Sequence, residues 1–441
     1  MLKKFANPAW AMLEYGWYPL LLFIATPWFL HRLGTEHYGL WMLLTATVGF
    51  GGVLNTGTGA ATIKAVSAGI GRAAKRDAEH AVRTALGLAL LGGGTLAGLV
   101  FCVFWLAGGA LLGRMGSPES LFLTGVTAAL LIWVEQLDNV FSSALKGAEE
   151  FGQAARVEIG SKTLQVGAAA AVLLPFPSLG SLYVALLLVA AVRLLAKVVI
   201  ARRVLDLADL RPSLTGTGEI LHFAKWGWLQ GVGGVLFGVA DRMLVGSLLG
   251  ASSLAYFSIA SQLAMQVHAI TAAGVSVIFP KVSRRLEAGG EFSLRHVTVV
   301  TMGGNLLLSS LLALVLALLG PKLLSIWIGD ASAGPTARIL PWLVLSYWVL
   351  ALNVVPYFVL LGMGRIRFVG LTVLASGAVA ALGMYVAVSK FGLIGAPVGR
   401  GIYAILSLAL VFPLALHFIR ERSARLTQHP INLGPDVEAL P

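Results

Sequence analysis

Charge is what this sequence most conspicuously lacks. Only 12% of its 441 residues are Asp, Glu, Lys or Arg, while 57% are hydrophobic. Soluble domains carry roughly a quarter charged residues, so this chain has too little polar surface to dissolve as a globular protein. It has one cysteine, Cys102, which excludes an internal disulfide and, inside an apolar run, is expected to serve packing. The eight histidines are scattered, without metal-ligand spacing. No G-x-x-x-x-G-K-[ST] loop is present, so the chain cannot drive itself with ATP. Neither a nucleophile elbow nor a paired-glycine dinucleotide motif occurs. Alternating ten-residue strands are absent too, which argues against a membrane β-barrel.

What is present is a series of continuous apolar blocks. A helix needs ~20 apolar residues to cross the bilayer core. Spans are expected near 10–30, 40–62, 84–112, 121–145, 157–176, 180–201, 223–249, 254–280, 298–320, 338–361, 369–388 and 396–418. The fold class is therefore an all-α polytopic membrane protein of about twelve transmembrane helices. The first block follows Lys3 and Lys4 but carries Glu14, Pro19 and Pro27 and shows no clear small-residue cleavage site. It reads as a retained helix, not a signal peptide.

The excess of basic charge, +12, lies in the loops. With the N-terminus inside, 22 Lys and Arg fall on the cytoplasmic side, among them Arg72, Lys75, Arg76, Lys162, Arg202 and Arg203. The outer side holds only Arg32, Arg114, Lys322, Arg338 and Lys390. That asymmetry is the positive-inside pattern. It predicts cytoplasmic termini and an even number of spans, and it assigns the basic charge to topology, not to nucleic acid.

An internal repeat is legible. Shifting the sequence by 216 places Trp10, Leu13, Leu20, Leu33 and Gly34 on Trp226, Leu229, Leu236, Leu249 and Gly250, and Glu14 on Gln230. A repeat of six helices gives parallel halves related by an axis along the membrane normal. The expected organisation is an N-terminal six-helix lobe (1–201), a cytoplasmic linker (202–222), a C-terminal six-helix lobe (223–419) and a cytoplasmic tail (420–441), with a central cleft between the lobes.

Charges inside spans are costly and mark functional candidates. In the fourth span Glu135, Asp138, Asn139 and Ser142 share one helical face. Two carboxylates one turn apart repel when both are ionised, which suits a proton or cation site or a sugar-binding wall. The competing reading is an interhelical ion-pair network. Asp241 and Arg242 in span seven are adjacent and point about 100° apart, so they need not pair with each other. A deep Arg242 suits phosphate recognition, through its planar bidentate fork; a structural salt bridge is the alternative. Arg193 is a cavity candidate, whereas Lys197 is expected to snorkel to the cytoplasmic interface. Arg400 sits near the outer start of span twelve, within reach of cavity or headgroups. Glu14 and Gln230, as repeat mates, are expected on the same cleft, with Glu14 the ionisable one. His268, Gln262, Asn305 and Asn353 read most simply as packing and interhelical hydrogen bonds.

Several segments resemble one family. The run Phe29-Leu-His-Arg-Leu-Gly-Thr-Glu-His-Tyr-Gly-Leu-Trp41 is similar to the first loop of the polysaccharide-transporter branch of the multidrug/oligosaccharidyl-lipid/polysaccharide exporter superfamily. So are Asp241-Arg-Met-Leu-Val-Gly-Ser-Leu-Leu-Gly250, Ala255-Tyr-Phe-Ser-Ile-Ala260, Phe279-Pro280 and Phe391-Gly-Leu-Ile-Gly-Ala396. The resemblance covers nearly the whole chain. It implies a Wzx-type flippase of the bacterial inner membrane, moving undecaprenyl-pyrophosphate-linked oligosaccharide from the cytoplasmic to the periplasmic leaflet for O-antigen-like polysaccharide. It also implies membrane lipids and the polysaccharide polymerase and chain-length machinery as partners, with no cofactor. Under it Arg242, Arg193, Arg400 and Gln230 are headgroup candidates, and Glu14, Glu135, Asp138 and Asp241 ion-coupling candidates for alternating access. Two alternatives are a multidrug or toxin cation antiporter of the same superfamily and a lipid-modifying enzyme using Glu135 and Asp138 as acid and base.

Overall fold

The computed structural model describes residues 2–71, 74–275, 294–363 and 365–428. Among these residues the chain folds into twelve helices. They are α1 (2–33), α2 (35–71), α3 (Lys75–Cys102, running on through a π turn to Leu112), α4 (Pro118–Gly147), α5 (Phe151–Leu173) and α6 (Leu179–Leu205). The second set is α7 (Thr217–Leu249), α8 (Ala251–Val275), α9 (Leu294–Ile328), α10 (Asp330–Leu352, continued as Val354–Gly362), α11 (Ile366–Phe391) and α12 (Ala396–Ser407, continued to Gln428). The all-helical fold expected from the apolar blocks is thus observed.

Gly34 divides α1 from α2. Its φ of 73° and ψ of 169° lie outside helical space, in a region open to glycine but costly for other residues. Thr26 Oγ1 lies 3.4 Å from the Tyr38 hydroxyl. In a straight helix those twelve residues would be separated by ~18 Å, so the chain reverses here. Gly250 between α7 and α8 has nearly the same geometry, φ 88° and ψ 176°. The two turns sit 216 residues apart, which makes the sequence repeat a backbone repeat at this point. Elsewhere the breaks have ordinary chemistry: Ser117 and Ser178 cap α4 and α6 by accepting from the backbone N–H groups of Ser120 and Ser181.

The outer surface is apolar. Along α9, Leu307, Leu318 and Ile326 are 74, 70 and 75% exposed, a pattern that fits lipid and not water. Cys102 is also exposed, which corrects the packing role expected for it. α5 is less apolar than its neighbours because Glu158 and Lys162 lie on it, and both turn inward, as shown below.

The lobes meet at the Gly34/Gly250 end. Thr35 and Ser252 hydroxyls are 3.2 Å apart, Arg114 Nη1 donates to Leu248 O at 2.6 Å, and Trp327 Nε1 donates to Phe23 O at 3.0 Å. A Cβ on Gly39 would overlap the Ala251 carbonyl, so the backbones of α2 and α8 touch there. Phe29, Trp41, Leu43, Val245, Leu254 and Phe257 fill the joint apolar core. At the opposite end of the first lobe the connection to α7 is strapped onto α3. Arg83 pairs with Asp209 at 3.2 Å, His80 meets Thr215 at 2.8 Å, and Ser213 N–H donates to Arg83 O at 3.0 Å. The strap ends at Gly216, with φ 78°.

A cationic cavity between the lobes

Between the lobes lies a cavity of about 480 Å³, within the range of small-ligand sites. α1 contributes Tyr18, α2 Tyr38, α4 Glu135, α5 Lys162 and α6 Arg193. The second lobe adds Arg242 from α7, Gln262 from α8, Tyr347 from α10 and Arg400 from α12. Four cations and one carboxylate therefore stand on the wall.

The first-lobe wall is backed by an ion network linking three helices. Arg193 donates to Glu135 at 2.5 Å and lies 3.2 Å from Asp138 and 3.3 Å from Glu158. Lys197 contacts Asp138 at 2.7 Å and Glu158 at 2.8 Å, and Lys162 stands 3.8 Å from Glu158. Three carboxylates thus face three cations. The Glu135 side chain is 30% exposed, whereas that of Asp138 is 6% exposed, so the cavity reaches Glu135 while Asp138 lies behind it. Lys197 does not snorkel as expected: it is 1% exposed, because two carboxylates inside the lobe compete successfully with the interface. Lys162, counted by its position among the cytoplasmic charges, instead lines the cavity and stands 4.7 Å from the centre of the Tyr18 ring. Spacing on one helix could not reveal this, since Glu158, Lys162, Arg193 and Lys197 come from α5 and α6 and meet only when both pack on α4.

The second-lobe wall is simpler. Asp241 is fully buried and paired with Arg400, whose guanidinium sits 5.4 Å from the centre of the Tyr347 ring. Arg400 thus reaches the cavity, not lipid headgroups. Asp241 Oδ1 also accepts the Arg242 backbone N–H at 2.7 Å. The Arg242 side chain has no carboxylate within ion-pair distance among the described residues. Asn305 donates to Ala351 O at 2.7 Å and Asn353 to Ala404 O at 3.2 Å, which is the interhelical bonding expected of them. The side chains of Glu14 and Gln230, and all of Phe279-Pro280, lie outside the described residues. Sequence reasoning missed Tyr18, Tyr38 and Tyr347 as cavity walls, and Ser258 and Ser261 beside Gln262.

Chemically, such a wall attracts anions. Its paired cations are held rigid by the carboxylates behind them, and Arg242 presents a fork of five donors with no competing carboxylate among the described residues.

Comparison with known proteins bears on the fold and the family. The family model described as "Polysaccharide biosynthesis protein" matches residues 6–285, and that described as "MatE" matches residues 232–386. A Shigella flexneri protein named "Putative O-antigen transporter" is 23% identical over 423 residues, covering 92% of this chain and 96% of the relative. An inward-facing multidrug resistance MATE family transporter of the MOP superfamily has the same fold, with a TM-score of 0.71, 15% identity, and coverage of 97% of this chain and 99% of that one. An outward-facing structure from that family gives 0.64 at 17% identity, covering 97% of each chain. The match spanning most of the first lobe and entering the second places this multi-pass chain in the polysaccharide biosynthesis protein family, a transporter branch of the multidrug/oligosaccharidyl-lipid/polysaccharide exporter superfamily.

Proposed function

We propose that the chain is a flippase for polyprenyl-pyrophosphate-linked oligosaccharide in the bacterial inner membrane. The observation that carries the reading is Arg242, which lines the cavity with no described carboxylate within ion-pair distance, whereas Lys162, Arg193 and Arg400 on the same wall are each paired. A pyrophosphate needs charge-assisted donors, and Arg supplies them bidentately. The polyprenyl tail stays in the lipid while the head enters the cavity. The S. flexneri relative is named for O-antigen transport, which supports a glycan cargo.

In this reading Arg242 contacts the pyrophosphate directly, and Arg193 and Arg400, each held by a carboxylate, stand on the wall beside it. Glu135 is the favoured ion-coupling candidate, since its carboxylate reaches the cavity. The positive-inside pattern assigns the Gly34/Gly250 end to the periplasm. The joined lobes then form a closed periplasmic gate, and cargo enters from the cytoplasmic leaflet.

The test is leaflet-resolved transport in proteoliposomes holding the purified protein. Lipid-linked oligosaccharide extracted from the source bacterium is expected to change leaflet with its chemistry intact. Movement of an organic cation in its place would replace the reading by that of a cation exporter. Cleaved or extended lipid would replace it by that of an enzyme.

A further inference from the structure

The cavity wall contributed by α8 carries polar atoms that have no partner among the described residues. Ser258, Ser261, Gln262 and Met265 all line the cavity. Spaced at i, i+3, i+4 and i+7, they form one strip along the helix. Ser258 is 2% and Ser261 4% exposed, and neither hydroxyl has a hydrogen-bond partner; the Gln262 Nε2 amide likewise has none.

Serines and threonines inside helices can bond a carbonyl one turn back, and several in this chain do. Ser346 donates to Trp342 O, Ser407 to Tyr403 O, and Thr271, on α8 itself, to Val267 O. So do two on the first-lobe wall: Thr45 donates to Met42 O and Ser161 to Glu158 O. The two neighbouring serines at this cavity do not. Buried polar groups are nearly always paired, and no described residue pairs with this strip.

The chemistry of a fitting partner is constrained. No cation belongs to the strip, so it does not select an anion. Hydroxyls donate and accept, and an amide NH₂ donates, which matches the hydroxyl groups of a sugar. Tyr38 and Tyr347 line the same cavity, and tyrosine side chains combine an apolar ring with a polar tip. The strip shares the cavity with Arg242, whose fork suits the phosphate end of the same molecule. Gln262 Oε1 accepts from Thr26 Oγ1 of the first lobe at 3.5 Å, a long bond that a ligand hydroxyl can replace.

We infer that Ser258, Ser261 and Gln262 form a glycan subsite, which binds the sugar hydroxyls of the cargo whose pyrophosphate lies at Arg242. The oxygens lie just beneath the wall, and each serine presents its hydroxyl by rotation about a single bond, χ1. The inference rests on the flippase reading and adds to it a determinant for the sugar.

The test compares two probes on the full-length protein in nanodiscs: undecaprenyl pyrophosphate without sugar, and the lipid-linked oligosaccharide extracted from the source bacterium's membranes. Wild type is expected to bind the sugar-bearing lipid more tightly. Ser258→Ala with Ser261→Ala is expected to reduce that preference by roughly three- to tenfold per hydroxyl, leaving bare pyrophosphate binding as it was. Gln262→Leu is expected to act in the same direction. Thermal unfolding without lipid gives a second readout. An unpartnered hydroxyl contributes nothing to the empty protein, so the alanine pair is expected to keep or raise the melting temperature. A fall would assign the serines a structural role and overturn the inference. An undiminished sugar preference in the variants, or equal binding of both probes by wild type, would overturn it while leaving the flippase reading standing. Failure of wild type to bind either lipid would remove the flippase reading itself, and the subsite with it.

Discussion

Arg242 separates two kinds of buried charge in this protein. Arg193, Lys197 and Arg400 each face a carboxylate within 4 Å, and a paired charge in a low-dielectric interior mainly holds structure in place. Arg242 faces the cavity without one among the described residues, so its removal deprives none of those carboxylates of a partner. Arg242→Ala is therefore expected to leave insertion and thermal stability near wild type. It should weaken binding of bare undecaprenyl pyrophosphate by ~1.5–3 kcal/mol, the range for hydrogen bonds to charged groups. Titration with that lipid, alongside a melting curve, checks both halves. Unchanged affinity would take Arg242 out of the headgroup role. Glu135→Gln is expected to flatten the dependence of transport on an imposed proton gradient, measured in proteoliposomes. Asp138→Asn, behind Lys197, should instead act on stability.

At the scale of elements, α4, α5 and α6 are held together by charge where soluble proteins use apolar packing. Lipid tails are as apolar as leucine, so burying leucine between membrane helices yields little net gain, and polar contacts become the selective ones. Lys197 bridges α6 to both α4 and α5 through Asp138 and Glu158. Lys197→Met keeps the length of the side chain but leaves two carboxylates short of a cation. The expected cost is ~3–5 kcal/mol, read as a lower melting temperature of the purified protein. Restored stability in Lys197→Met with Asp138→Asn would confirm that the cost is electrostatic. A melting temperature unmoved by Lys197→Met would show the three helices to be held by something else.

For the whole molecule, the decisive feature is the contact between the lobes at the Gly34/Gly250 end. Thr35 and Ser252, one from each lobe, have side-chain oxygens 3.2 Å apart, within the span a disulfide can bridge. In a chain whose single cysteine, Cys102, is replaced by serine, Thr35→Cys with Ser252→Cys is expected to cross-link under oxidation. Transport should stop when the bond forms and return when it is reduced, if the lobes rock about the cavity. Full transport in the oxidised protein would show that this end need not open. Gly250→Val tests the turn itself: at φ 88° a branched side chain is strained, and lower yield of folded protein is expected, measured by size-exclusion chromatography.

The sequence alone determined the helical class and the repeated turn at Gly34 and Gly250, because each rests on local chemistry. Hydrocarbon leaves a backbone no partner but its own helix, and Gly34 and Gly250 carry the same turn at the same register. It also marked Glu135, Asp138, Arg193, Asp241, Arg242 and Arg400 as exceptional, since a charge inside an apolar run is visible without any structure. Which of these charges cancel was decided only by the tertiary structure. Asp241 meets Arg400 across 159 residues, and Asp138 meets Lys197 across 59. Such pairings depend on how helices rotate and pack against one another, and no spacing along a single helix encodes that. The unpaired Arg242 and the unsatisfied Ser258 and Ser261 emerge the same way, as what remains once the partners among the described residues are assigned.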